Sequence, residues 1–390
     1  MADSSDFRLS PLPLWAASAE TRALLACVGP QVRFVGGCVR DALAGIVPND
    51  LDLAGPERPE AVMAKLEAAG FKAIATGLAH GTVTAIVRGR RFEITTLRRD
   101  VATDGRHATV EFTDDWRLDA ARRDFTINAM SMDADGTVFD FFGGREDLAA
   151  GRVRFVGDAA ARIAEDYLRV LRLFRFHARF GQGAIDAAAL AACTAAAAQL
   201  KNLSAERVHS ELFGLLAGSN APAMLDAMRA AGLFAFWLPE LEGTAALARL
   251  LAVAGQARAR VDAILALASL LTPADVPGVA ARLRLSRAET ARLQVLCAPP
   301  LRLDPAADEK QRRAAFYRLG DDPAAHVLLQ WSQAPDAQGC AALYAAALAW
   351  VRPRFPLSGE DARRAGFEPG PAMGAWLKAR EEEWIEAGCP

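Results

Sequence analysis

A mixed α/β head followed by a long all-α portion is the fold class that this 390-residue sequence predicts. Three observations predict it. Up to about residue 150, short β-type runs alternate with helical ones. One of those runs carries Asp135-Gly136 between two apolar stretches, a strong hairpin signal. Beyond 150 the chain reads almost entirely as helices, many of them Ala-rich, with breaks at 181–183, 218–222, 273–277, 299–300 and 320–323. The strand runs are 32–35, 51–53, 71–76, 82–88, 92–97 and the hairpin segment 129–142.

Composition narrows the classes. The length suggests two or three domains. Hydrophobic residues at 52% and charged residues at 24% describe an ordinary folded chain. No apolar run reaches the ~18–20 residues that span a bilayer, and the polar start MADSSDFRLS is unlike a secretory signal. Both predict a cytoplasmic protein with no membrane partner. The formal charge, 45 − 47 = −2, excludes a wholesale polycation but allows a local basic face. Six scattered cysteines without a CxxC pair argue against a zinc site and a disulfide scaffold. Five dispersed histidines, without HExxH or an adjacent His-Asp pair, argue against a zinc hydrolase and an HD-type phosphohydrolase. Oligomeric state is not legible.

The first chemical constellation is VRFVGGCVRD, residues 32–41. A strand runs into Gly36-Gly37 and then into a helix. Glycines let the backbone approach a ligand, and a helix start offers free N–H groups. Arg40, on the first turn, is placed to reach a phosphate oxygen. The same pattern also makes an ordinary strand–helix turn. The second constellation is NDLDL, residues 49–53. Residues two apart in a strand share a face, so Asp50 and Asp52 project side by side while Leu51 and Leu53 face the core. Adjacent carboxylates repel unless a cation lies between them, and Mg²⁺ is the usual solution. Two-metal phosphoryl or nucleotidyl transfer requires such a pair. Glu93, between apolar Phe92 and Ile94, is a candidate third carboxylate or part of a solvated strand face. Farther on, RRDFTINAM sets Arg123, Asp124 and Asn128 beside apolar Phe125, Ile127 and Met130. Such groups need partners. A salt-bridged junction would satisfy them; so would a nucleotide, with Arg123 on a phosphate and Asp124 or Asn128 on the ribose.

GGCVRD, NDLDL and RRDFTINAM, in this order and at these spacings, resemble the head of the class II CCA-adding tRNA nucleotidyltransferase and bacterial poly(A) polymerase family, within the polymerase-β nucleotidyltransferase superfamily. The resemblance covers roughly residues 25–215; beyond that it is only helical texture. It implies an α+β head, a small mixed sheet with helices forming a polymerase-β-like palm, followed by an all-α neck, body and tail. The corresponding domains are a catalytic head at 25–145, a base-recognising neck at 146–215, and a body and tail at 216–390 for tRNA. The implied reaction is template-independent addition of CMP and AMP, from CTP and ATP, to the tRNA 3′ end. Asp50 and Asp52 would be catalytic and hold Mg²⁺ with Glu93. Gly36, Gly37, Arg40 and Arg123 would hold the triphosphate. Poly(A) polymerases and CC- or A-only enzymes share these motifs. An inactive RNA-binding module would be signalled by loss of Asp50 or Asp52, and both are present.

Residues 160–180, AARIAEDYLRVLRLFRFHARF, read as one helix. At ~100° per residue, Ile163, Tyr167, Val170, Leu171, Phe174 and Ala178 share a face opposite Arg169, Arg172, Arg175 and Arg179. Alone, the arginine row is a solvated face. The resemblance matches EDYLR to the family's EDxxR motif, which makes Asp166 and Arg169 readers of the base and places Arg172 and Arg175 on the nucleotide. The chemistry suits that task. Cytosine and adenine both offer an amino donor beside a ring-nitrogen acceptor; a carboxylate only accepts and a guanidinium only donates. Uracil and guanine meet the pair with the wrong polarity, at ~1–3 kcal/mol per unpaired buried group. The polar run 97–109 reads as a mobile loop, resembling the one that helps relatives switch from C to A. Residues 204–212 resemble the family's ERxxxE helix and read as structural, packing the neck. In the tail, 281–318 carries nine Arg and Lys against four acids. It is either an ordinary charged surface or a set of phosphate contacts for folded RNA. Trp331, Trp350, Trp376 and Trp384 read as core anchors.

Overall fold

A computed structural model describes residues 7–103, 108–334 and 338–390. The chain divides into two compact units. The first holds Met1–Leu203 with Ala231–Leu233, the second Ser204–Ala230 with Phe234–Pro390. That division falls at 203/204, so the ERxxxE-like helix belongs to the second unit.

The first unit is built on an eight-stranded sheet. In chain order its strands are β1 (Phe7–Arg8), β2 (Arg33–Val35), β3 (Asp52–Gly55), β4 (Lys72–Gly77), β5 (Thr82–Val87) and β6 (Arg90–Thr96). After the separate hairpin β7 (Arg98–Thr103) and β8 (Ala108–Phe112) come β9 (Ser131–Met132) and β10 (Thr137–Phe139). The sheet order is β1-β10-β9-β2-β3-β6-β5-β4. Only β3 and β6 run parallel. All the strand runs read from sequence are present, and Asp135-Gly136 does turn β9 into β10. The core face follows from alternation: Phe34, Leu53, Phe92, Met132 and Val138 are fully buried, at roughly 1.5–3 kcal/mol per large side chain. Sequence reading began the head at residue 25 and missed two earlier contributions. Strand β1 pairs with β10, and Trp15 packs edge-on against Phe34 at 5.0 Å.

Two expectations are corrected. Strand, not loop, fills most of the run 97–109. Arg98–Thr103 pairs antiparallel with Ala108–Phe112, with a register shift between Asp100 and Ala102; residues 104–107 lie outside the described set. Charged and small residues hid the strand pattern, since the run offers no apolar–polar alternation to read. Nor are residues 160–180 one helix. They form Ala159–Glu165 and Leu168–Phe180, broken at Asp166, whose backbone is extended (φ −155°, ψ 106°). The Asp166 carboxylate accepts from Leu168 N at 3.1 Å, a local side-chain bond that competes with helix propagation.

The second unit is all helix, from Ala205–Leu216 to Pro371–Glu386. Helices end or begin at the breaks read at 218–222, 273–277, 299–300 and 320–323, while the junctions after Ala230, Ala257, Leu283, Gln333, Leu348 and Arg364 were not read from sequence. Trp331 is buried. Trp350 and Trp384 pack against a cluster of Ala314, Tyr317 and Ile385, and Trp376 packs on Phe367 at 5.5 Å. No helix among the described residues is long and apolar enough to cross a membrane.

Candidate active site

Strand β2 delivers the chain to Gly36, which has φ +69° and donates its N–H to Met130 O at 3.1 Å. A side chain there would be strained, and its Cβ would lie 2.8 Å from an Arg123 guanidinium nitrogen. The positive φ is what calls for glycine here. The helix Gly37–Leu43 starts immediately after.

Asp52 opens β3 and is directly paired in register with Glu93 of β6. Residues opposite each other on neighbouring strands point to the same face, so the two carboxylates stand side by side. Leu51 and Leu53 on either side are buried. Asp50 lies just before the strand and is exposed. Burial, then the Glu93 charge, raises the Asp52 carboxyl above its ordinary range; Arg123 opposes this and Asp50 adds to it. Glu93 also pairs with Arg91 at 2.5 Å. Among the described residues, no three His, Cys, Asp or Glu side chains stand close enough to hold an ion by themselves.

Arg123 is held at 3.1 Å by Asp119, which also pairs with Arg122 at 2.7 Å. Burial works against the Asp119 charge, but Arg122 and Arg123 outweigh it and keep that carboxyl below its usual range. Sequence reading passed over Asp119, although its spacing to both arginines, three and four residues, is that of a helical ion pair. Arg169 pairs with Glu165 at 2.5 Å and donates to Arg162 O at 2.9 Å and Arg122 O at 3.2 Å. Asp166, Arg169 and Arg123 thus belong to one contiguous neighbourhood.

Other candidates are placed differently from expectation. Arg40 does not project from the turn towards open space. It is buried, with its guanidinium on Asp41 at 2.6 Å and on Asn128 Oδ1 at 2.5 Å. Asp124 and Asn128 are buried too, and their polar atoms meet each other at 3.0 Å. Asp124 also binds Arg172 at 2.6 Å. The satisfied junction, one of two readings left open above, is what these residues form. Burial raises Asp124, but the Arg172 charge and the Asn128 hydrogen bond prevail and its carboxyl sits low. Arg175 lies over the Phe176 ring at 4.2 Å.

Fold and site together define a nucleotidyltransferase of the polymerase-β-like type. The family models agree: "Poly A polymerase head domain" matches residues 32–154, and "Probable RNA and SrmB- binding site of polymerase A" matches 184–244. The chain is 37% identical over 368 residues to a mitochondrial CCA tRNA nucleotidyltransferase 1 of Danio rerio, covering 91% of this chain and 83% of that one. It is 32% identical over 378 residues to the CCA-adding enzyme of Streptococcus sanguinis, covering 94% and 91%. The structure superposes on the Bacillus stearothermophilus CCA-adding enzyme, solved in complex with CTP, with a TM-score of 0.73 and 28% identity over 97% of this chain and 93% of that one. The chain belongs to the family of CCA-adding tRNA nucleotidyltransferases.

Proposed function

We propose that this nucleotidyltransferase adds CMP and AMP, from CTP and ATP, to the 3′ end of tRNA without a nucleic-acid template, releasing pyrophosphate in the cytoplasm. Arg123 carries this reading. Its guanidinium lies against the Gly36 backbone and within electrostatic reach of Asp52, while the carbonyl of adjacent Arg122 is held by Arg169. A nucleotide whose phosphates rest at Gly36, Gly37 and Arg123 would then extend its base towards Asp166 and Arg169.

Asp50 and Asp52 would hold Mg²⁺, with Glu93 beside them. The donor set fits, because Asp52 stands in register with a second carboxylate, Glu93, and burial first, then the Glu93 charge, raises its carboxyl, both of which a bound cation would offset. Mg²⁺ is commonly bound through one or two carboxylates plus substrate phosphates. When bound, the ion supplies charge neutralisation and an easier deprotonation of the attacking hydroxyl. The chain's own groups do the rest. The turn and Arg123 orient the triphosphate, and Asp166 and Arg169 offer acceptor and donor to the base. Arg172 and Arg175 lend positive charge alongside. Asp124 holds Arg172 and is itself held by Asn128.

The test supplies radiolabelled CTP and ATP separately to tRNAs ending before, within and after CCA. CTP should label tRNA lacking CCA, ATP should label tRNA ending in CC, and mature tRNA should take neither. Long A tracts on any RNA, or no incorporation with Mg²⁺ present, overturn the proposal. Cell fractionation reads the compartment.

A further inference from the structure

Six polar side chains close a ring through the first unit. From Arg179, near the end of the helix Leu168–Phe180, an ion pair of 3.7 Å reaches Asp41 Oδ2. Asp41 Oδ1 accepts Arg40 Nε at 2.9 Å and a second guanidinium nitrogen at 2.6 Å. Arg40 donates to Asn128 at 2.5 Å, Asn128 to Asp124 at 3.0 Å, and Asp124 accepts Arg172 Nε at 2.8 Å. Arg172 lies on the same helix as Arg179, seven residues earlier, which is two turns along one face. Arg40 is covered by that helix's aromatic rings, Phe176 at 4.9 Å and Phe180 at 4.5 Å.

The ring joins three segments: the helix that follows Gly36, the 124–128 segment and the helix bearing Arg169. It contains three guanidiniums and two carboxylates, so it carries one excess positive charge. Arg40, Asp41, Asp124 and Asn128 are all buried. A buried ion pair is weak evidence for stability, because desolvation offsets most of its attraction. Its geometry, however, admits one arrangement of the groups it joins. Without the Asp41 charge, Arg40 and Arg179 face each other uncompensated, and the helix end is pushed from the turn. The helix is a rigid rod with ~1.5 Å rise per residue, so the displacement reaches Arg169 near its start.

We propose that Asp41 is a positioning residue for nucleotide choice: it fixes the register of the Gly36–Gly37 turn against the helix that reads the base, without touching the nucleotide. This rests on the nucleotide reading above. The measurement is kcat and KM for CTP and for UTP in Asp41→Asn, Arg179→Gln, Asp166→Ala and the Asp41→Asn/Asp166→Ala double variant, with tRNA affinity alongside. Asp41→Asn should lower the CTP-to-UTP ratio of kcat/KM about tenfold, chiefly through KM for CTP, with tRNA affinity unchanged. In the Asp166→Ala background it should add nothing, since coupled sites are non-additive. A merely structural role lowers the active fraction and leaves the ratio and KM alone. A folded Asp41→Asn enzyme with wild-type discrimination therefore overturns the proposal. Arg179, 43% exposed at the rim, keeps the test open if Asp41→Asn does not fold: Arg179→Gln should lower the ratio about threefold, and an unchanged ratio there overturns the proposal equally. A silent Asp166→Ala instead overturns the base-reading assignment, so the two failures are told apart by which variant is silent.

Discussion

The two units handle charge in opposite ways. In the first, Arg40, Asp41, Asp119, Asp124 and Asp147 are buried and paired with one another or with arginines above them. In the second, Glu211 is the one buried carboxylate or guanidinium side chain among the described residues. The ion pairs of the second unit are exposed, as Arg284 with Glu206 or Arg318 with Glu382, or half-buried, as Arg282 with Glu240. Burying charge is costly unless it is fully partnered. A fold therefore retains buried charge where guanidiniums and carboxylates must be held at fixed angles, as for a nucleotide. A surface that meets a polyanion through many equivalent contacts needs no such rigidity.

The sharpest way to break the comparison is to neutralise the catalytic pair. Asp50→Asn or Asp52→Asn should each lower kcat by on the order of 10³-fold or more, while tRNA affinity by filter binding stays near wild type. Asp52→Asn should also stabilise the metal-free protein by ~0.5–2 kcal/mol, since functional sites commonly trade stability for activity. Activity retained in either variant would separate the carboxylates from the chemistry. Next in size, Asp124→Ala removes one partner of a buried network and should cost ~3–5 kcal/mol in urea unfolding. Arg318→Ala, which breaks an exposed pair in the second unit, should cost ~0–1 kcal/mol. Equal losses would erase the distinction between the units.

Much of the first unit was legible because local chemistry and topology point the same way. Leu51 and Leu53 alternate with Asp52, and Asp135-Gly136 admits one tight turn. The Asp52–Glu93 juxtaposition needed a parallel pairing of strands some forty residues apart, which alternation in either strand cannot reveal. Arg40 shows another limit. Its place on the first turn suggested a phosphate, but Asp41 next to it and Asn128, 88 positions away, engage each of its three guanidinium nitrogens. Sequence names a residue's capacity to bond, while packing selects the partner.

A pH series sharpens the contrast within the first unit. Asp119 and Asp124 sit below their ordinary range despite burial, through their arginine partners. Their stabilisation is present above the unfolded carboxylate pKa of ~3.9 and is lost as pH falls through their lower folded values. Asp52 sits above its ordinary range, through burial and the Glu93 charge. Its cost is full above its folded pKa and vanishes as pH falls below the unfolded one. Asp52→Asn should therefore be more stable than wild type at neutral pH and converge with it from above on acidification. Asp124→Asn should be less stable and converge from below. Urea midpoints at neutral pH and at about pH 4 read the Asp52 sign, a third point at about pH 2 reads the Asp124 convergence, and parallel curves over that whole range would discard the assignment.

The smallest effect concerns the basic run at 281–318. Most of its cations are spent internally: Arg282 on Glu240, Arg284 on Glu206, Arg292 on Asp262 and Asp322, Arg313 on Gly388 O and Cys389 O, and Arg318 on Glu382. Arg287, Arg302, Lys310 and Arg312 make no ion pair with another described residue, and the first three are exposed. If this unit holds tRNA by phosphate contacts, each of these cations contributes about one unit to the slope of log K against log salt. Arg287→Ala should lower that slope by about one and leave CTP-to-UTP discrimination as it is. Arg292→Ala, whose partners are internal, should leave the slope alone and lower stability instead. An unchanged slope in Arg287→Ala, Arg302→Ala and Lys310→Ala alike would remove this face from tRNA binding and leave it an ordinary charged surface.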